Sequence, residues 1–180
     1  MSYTIRPATP DDVPELARLI ERSARALSAG FYSAEETEAA IRYVYGVDSS
    51  LIADCTYFIV ESPEGAVAGC GGWSRRRKLY GGDQHSGGES PLLDPTTEPA
   101  KIRAFFVAPE HARRGVAKML LDHCSAAASA ERFTRLELMA TLPGVPFYRV
   151  HGFHELEPMR DVLPDGTALS FARMERSLRG

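Results

Sequence analysis

Between Lys101 and Ala128 the chain reads KIRAFFVAPEHARRGVAKMLLDHCSAAA, and this stretch limits the fold more than any other. The apolar run Lys101–Val107 predicts a strand, and Pro109 ends it. Two arginines and a glycine follow. A helix is then expected over residues 114–130, with Val116, Met119, Leu120, His123, Cys124 and Ala127 sharing its apolar face. His123 is accordingly expected as a core histidine. A strand that delivers the chain into a helix N-terminus builds an anion site, because the first amides lack partners and the dipole adds positive potential. Gly115 has no Cβ, so a phosphate can come close to the backbone. Arg113 and Arg114 can add charge-assisted bonds, while Ala117 leaves room and Lys118 can meet an outer phosphate. Neither GxxxxGK[ST] nor a GxGxxG after the strand is present, so the site is not a nucleotide loop of those kinds.

The rest of the chain supplies a mixed pattern. Tyr3–Arg6 is a first strand. Thr9-Pro10-Asp11-Asp12 opens a helix whose apolar positions are Val13, Leu16, Ala17, Ile20, Ala24 and Leu27. Gly30 breaks it, and Ser33 with Glu36 forms a capping box for a second helix running to about Tyr45. Thr56–Glu61 and Ala66–Ser74 read as a hairpin around Ser62-Pro63-Glu64-Gly65. Gly69, Gly71 and Gly72 within its second arm mark a bulge or a close approach by another backbone or a ligand. Arg135–Thr141 alternates as a strand, Pro146–His151 is a short helix closed by Gly152, and Phe153–Met159 pairs with Leu169–Arg176. The expected architecture is α/β (α+β): one mixed, mostly antiparallel twisted sheet of about 6–7 strands flanked by about 4 helices, in a single domain over residues 1–180 with its core at 3–176.

Residues 77–99 carry little periodicity, with Gly81-Gly82, Gly87-Gly88, Pro91, Pro95 and Pro99 as punctuation. A loop of that length inside a compact domain is usually functional, and a lid or acceptor-binding loop is the expectation. Its Asp83, His85, Glu89, Asp94 and Glu98 match no metal-ligand spacing, so no metal is expected.

Composition narrows the class of partner. A net charge of −3 gives no global case for nucleic acid or an anionic membrane. The run Arg75-Arg76-Arg77-Lys78 reads as a solvated strand end, with nucleic-acid binding as its rival. The first residues lack a signal core and no run of about 18 apolar residues occurs, which makes a cytoplasmic protein the expectation. Cys55, Cys70 and Cys124 fit neither a zinc knuckle nor a disulfide framework and read as structural thiols.

FFVAPEHARRGVAKMLL resembles the core signature of the GNAT superfamily of N-acetyltransferases, [Q/R]-x-x-G-x-[G/A] after a strand ending in valine and proline. Gly115 and Ala117 match its last two positions, and Ala112 departs from the first. Phe147-Tyr148-Arg149-Val150-His151-Gly152-Phe153 is similar to the family's FYxxxGF segment, and the strand order fits from Tyr3 to about Arg176.

The resemblance implies acetyl-CoA as donor. Phe105, Phe106 and Val107 would bond the pantetheine arm through their backbone, and Arg113, Arg114, Gly115, Val116, Ala117 and Lys118 would hold the pyrophosphate. It also implies that the strand splays from the next one and that the thioester enters the gap. The Val107 amide is then a candidate oxyanion donor. Tyr148 matches the family tyrosine, as general acid or as a donor that orients the leaving thiolate. Glu137 is a candidate base, beside Glu98, Asp94 and a water relay. Phe31, Tyr32, Trp73 and the 77–99 loop would set the acceptor, a small-molecule or peptide amine. A homodimer is a further implication, since dimers are common in similar proteins. The rival class is a non-catalytic acyl-CoA-binding module, and within enzymes the rival is a longer acyl donor.

Overall fold

The computed structural model describes residues 2–85 and 90–179. Seven strands form one sheet: β1 (Thr4–Pro7), β2 (Tyr57–Glu61), β3 (Val67–Ser74), β4 (Ala100–Val107), β5 (Arg135–Thr141), β6 (His154–Val162) and β7 (Ala168–Ser177). Their spatial order is β1-β2-β3-β4-β5-β7-β6. All neighbours are antiparallel except β4 and β5.

Five α-helices lie among the described residues: α1 (Val13–Leu27), α2 (Ala34–Tyr43), α3 (Ser49–Ala53), α4 (Val116–Ala130) and α5 (Val145–Val150). The capping box expected at Ser33 and Glu36 is present, and Thr9 with Asp12 forms a second one. Asp12 bonds back to the Thr9 amide at 2.7 Å, and Ser33 and Glu36 cap each other at 3.0 and 2.8 Å. The helix α3 lies outside the sequence expectation. It is one short turn, started by Asp48 accepting from the Ser50 amide, and is too short to show periodicity.

The sheet divides the core in two. One face packs against α1, α2 and α3 through Leu16, Ile20, Ala40, Leu51, Tyr57 and Ile59. The other packs against α4 through Leu120, Leu121, Cys124, Leu136, Leu138 and Met174. Two helix faces shift from expectation. On α1, Leu19 is buried and Ala17 is exposed. On α4, Leu121 and Ala128 join the core and His123 is exposed, its ring edge-on to Phe58 at 4.4 Å. An imidazole keeps its polar edge in water while its body covers an apolar ring.

The glycines of β3 do the work expected of them. β3 is buried along its whole length. A Cβ on Gly69 would sit 2.6 Å from Val116 Cγ1, so Gly69 lets the start of α4 lie on the sheet. A Cβ on Gly71 would sit 2.3 Å from the Phe105 ring, at the place where the β3–β4 register shifts. Gly72 pairs with Arg103 and Cys70 with Phe106, so β4 carries an additional residue. Ala104 adopts φ 53° there, and its carbonyl accepts from the buried Tyr57 hydroxyl at 3.0 Å.

A candidate active site in a split sheet

β4 and β5 pair only at Ala100–Leu136 and Lys101–Glu137. Beyond that rung β5 stays paired with β7, and β4 stays paired with β3. The two strands therefore part inside the sheet. Along Ile102–Val107, β4 shows backbone donors and acceptors with no strand partner on that side, an arrangement that needs another bonding partner.

A cavity of about 240 Å³ opens at this split. One wall is Ile102–Val107, and the facing wall is Leu138, Met139 and Thr141 of β5 with Phe147 and Tyr148 of α5. Ala117, in the first turn of α4, closes one end. Ala24 and Leu27 of α1, Val44–Gly46, Leu79–Gly82 and Phe171 close the other.

The α4 end has an open, curled backbone. Arg113 and Gly115 hold φ of 64° and 85°, both left-handed, so the chain curls before entering the helix. A Cβ built on Gly115 meets nothing within 4 Å, which leaves open space beside the backbone for a ligand. Arg113 and Arg114 are exposed and make no hydrogen bond or ion pair among the described residues. Lys118 is exposed and pairs with Asp122 at 2.5 Å. Val116 is buried against β3 and serves packing, its amide alone being available at the helix end.

Tyr148 sits at the inner end of the split, 9 % exposed, with its ring 6.4 Å from Phe105 and 5.5 Å from Phe153. Its hydroxyl makes no hydrogen bond among the described residues. Burial, with a smaller contribution from Cys124, pushes the phenol well above its ordinary range, so it stays protonated.

Several expected site residues lie elsewhere. Glu137 is 1 % exposed, and its carboxylate is taken by Lys101 and Arg173; it does not line the cavity. Glu98 bonds the Asp94 amide at 2.8 Å and pairs with Arg77 at 3.4 Å, and neither Glu98 nor Asp94 lines the cavity. Trp73 is buried on the α4 side, edge-on to Phe133 at 6.0 Å and beneath Arg75 at 5.3 Å. It does not line the cavity. Phe31 is half exposed outside the lining. Tyr32 is a tie: its hydroxyl donates to Ser170 O at 2.5 Å and accepts from the Leu142 amide at 3.0 Å, joining the α1–α2 connection to the turn before α5.

The punctuated loop contributes Leu79–Gly82 to the cavity. Its Gly87, Gly88 and Glu89 lie outside the described residues. The basic run beside it is tied down rather than free. Arg75 pairs with Glu131 at 3.0 Å, Arg76 with Asp54 at 2.7 Å and Arg77 with Glu98, and Lys78 donates to Gly82 O at 2.9 Å.

Arg103 went unnoticed in the sequence. It is 3 % exposed, and its guanidinium meets Asp48 at 2.6 Å, Gly81 O at 2.6 Å and Lys78 O at 3.1 Å. Asp48 is 1 % exposed, held below the usual carboxylate range by bonds from Ser50 and the charges of Arg103 and Lys78 that outweigh its burial. One arginine thus braces the 78–82 wall against β4. An arginine among apolar strand residues, with an aspartate before a short helix, was the available signal.

Comparison with known proteins agrees with this fold. The sequence profile of the acetyltransferase (GNAT) family matches residues 15–153. A GCN5-related N-acetyltransferase from Rhodopseudomonas palustris superposes with a TM-score of 0.72 at 20 % identity, covering 98 % of this chain and 96 % of the other. PaiA N-acetyltransferase from Thermoplasma acidophilum, solved with coenzyme A, gives 0.66 at 15 % identity over 98 % and 99 %. A phosphinothricin acetyltransferase from Sinorhizobium meliloti, solved with acetyl-CoA, gives 0.63 at 19 % identity over 98 % and 89 %. No curated protein sequence matches significantly. No helix among the described residues is long and apolar enough to cross a membrane.

Proposed function

Because this chain belongs to the acetyltransferase (GNAT) family, we propose that it is an acetyl-CoA-dependent N-acetyltransferase that moves the acetyl group directly to a primary amine. The observation that carries the reading is the unpartnered edge of β4, running from the α4 cradle to Tyr148 along one cavity wall. An extended pantetheine arm, with its amides, offers what that edge lacks. The open space beside Gly115, with Arg113 and Arg114 at hand, fits a pyrophosphate.

Each residue then has a task. Phe105, Phe106 and Val107 bind the arm through their backbone, and the Val107 amide is the oxyanion donor. Ala117 leaves room in the first turn of α4. Tyr148 faces the leaving thiolate. A thiol ionises near about 8.5, well below this phenol, so Tyr148 acts as a hydrogen-bond donor that stabilises and orients the thiolate more than as a complete proton donor. Direct transfer fits the cysteines: burial raises the Cys70 thiol to about 12 and lifts Cys124 further, and Cys55 does not line the cavity. Among the described residues no carboxylate lines the cavity, so loss of the amine proton falls to desolvation or to water.

The test is thiol release from acetyl-CoA over a panel of amines, for the native chain and Tyr148→Phe. Turnover that collapses in the variant while acetyl-CoA still binds supports the enzyme. Binding with no release from any amine, and an inert variant, would leave an acyl-CoA-binding module instead.

A further inference from the structure

Resting on the transferase reading, we propose that the acceptor is a small primary amine with an uncharged aryl or alkyl body. Its body would lie among Tyr45, Phe106, Tyr80, Phe171, Ala24 and Leu27 at the end of the cavity away from α4.

The charge inventory comes first. Arg103 is the sole charged residue lining the cavity among the described residues. Its guanidinium faces Asp48 and two backbone carbonyls, and the side chain is 2 % exposed. Its Nε–H is the one guanidinium nitrogen without a hydrogen-bond partner among the described residues, while the charge itself is met by Asp48. The carboxylate behind Tyr80, Asp161, accepts from the Tyr80 hydroxyl at 2.9 Å and meets His85 Nε2 at 3.0 Å. A second ammonium on the acceptor would be stripped of water with no counter-charge in the wall, and a carboxylate would meet one buried N–H of a guanidinium already paired with Asp48.

The walls also suit such a body. Tyr45 and Phe106 meet edge-on at 5.6 Å, and Tyr80 tilts over Phe171 at 5.5 Å. Tyr80 is fixed by Asp161, so its ring is set before anything binds. At 240 Å³ the cavity lies below the range of about 300–1,000 Å³ common for drug-sized ligands, and the thioester end must share it. The same surroundings disfavour an ammonium, so the reacting amine reaches the thioester in its neutral, nucleophilic form without a carboxylate base.

Matched pairs of acceptors isolate the effect: hexylamine against hexamethylenediamine, and phenethylamine against phenylalanine. Each pair differs by one charged group. With the full chain and saturating acetyl-CoA, kcat/KM should favour the uncharged body by about tenfold or more in both pairs. Leu27→Asp places a carboxylate at a lining position that is 41 % exposed, where folding tolerates it. It should move the hexamethylenediamine-to-hexylamine ratio up by about tenfold. Equal or reversed preferences in the native chain overturn the acceptor class while leaving an acetyltransferase. An unchanged ratio in Leu27→Asp overturns the placement of the body. No thiol release from any of the four overturns the acceptor class, and no release from any amine of the wider panel, with acetyl-CoA bound, overturns the transferase reading itself.

Discussion

Lys101 and Glu137 are sheet partners and ion partners at once, and they form the last rung before β4 and β5 separate. Both are buried, and Arg173 on β7 takes the other carboxylate oxygen of Glu137. Three strands are thereby fastened at the point from which the cavity opens. Breaking a buried pair leaves an uncompensated charge and costs about 3–5 kcal/mol. Glu137→Gln should therefore lower the urea midpoint strongly. The pH–rate profile of the protein that remains folded should keep its shape. A lost acidic limb would make Glu137 the base instead.

Tyr148→Phe separates chemistry from folding. The hydroxyl has no hydrogen bond to lose among the described residues, so stability should change by less than about 1 kcal/mol. Turnover should fall by about 100-fold, at the lower end for a positioned proton-donating group. Acetyl-CoA affinity, read by calorimetry, should hold.

The Arg103–Asp48 pair predicts a double-mutant cycle. Asp48→Leu alone strands a guanidinium that is 3 % exposed and should cost about 3–5 kcal/mol. Arg103→Met combined with Asp48→Leu should recover much of that loss. The same double variant should still raise KM for the acceptor, because residues 78–82 lose their brace. Thermal melts and initial rates read the two effects apart.

Buried phenols set an alkaline limit. Desolvation raises Tyr32 and Tyr80 from 10.0 to about 12. For Tyr80 the hydrogen bond and charge of Asp161 add to it. An unfolded chain ionises these groups near 10, whereas the folded one holds them neutral. Their contribution is complete below pH 10 and is lost as pH rises toward 12. The urea midpoint should fall across that window, and phenolate absorbance should grow in step with unfolding.

Gly115 holds φ 85° beside open space. Gly115→Ala should cost about 1–2 kcal/mol through the left-handed backbone alone. It should also weaken acetyl-CoA binding, since the added methyl enters the space assigned to a phosphate. A stability loss with unchanged affinity would move the pyrophosphate elsewhere.

The elements proposed to hold the donor were legible because they are written in local chemistry. Pro109, the Arg113–Gly115 turn and Gly152 act on their own neighbours, and the two motifs stand either side of β5. Strand alternation was legible too, and Arg135–Thr141 falls where periodicity placed it. What lay hidden was set by partners remote in sequence. Glu137 was a candidate base, and its partner Arg173 lies 36 positions away, across β5 and β7. Arg103 meets Asp48 at a separation of 55, and the apolar neighbours of Arg103 hint at burial without naming its partner. Trp73 was expected beside the acceptor, and its glycine-rich strand gave no apolar pattern to fix which side it faces.

The irregularity at Ala104 resets side-chain parity in β4. Arg103 reaches toward Asp48, and Ala104 and Phe106 pack on the same side of the sheet, while Phe105 and Val107 pack toward α4. In a regular strand Phe105 would share the side of Arg103. The additional residue is therefore a change of reading frame inside the fold. Deleting one position would exchange the surroundings of both phenylalanines without altering either of them. This wall should tolerate changes of residue identity far better than changes of residue count, so the length of β4 is itself part of the site.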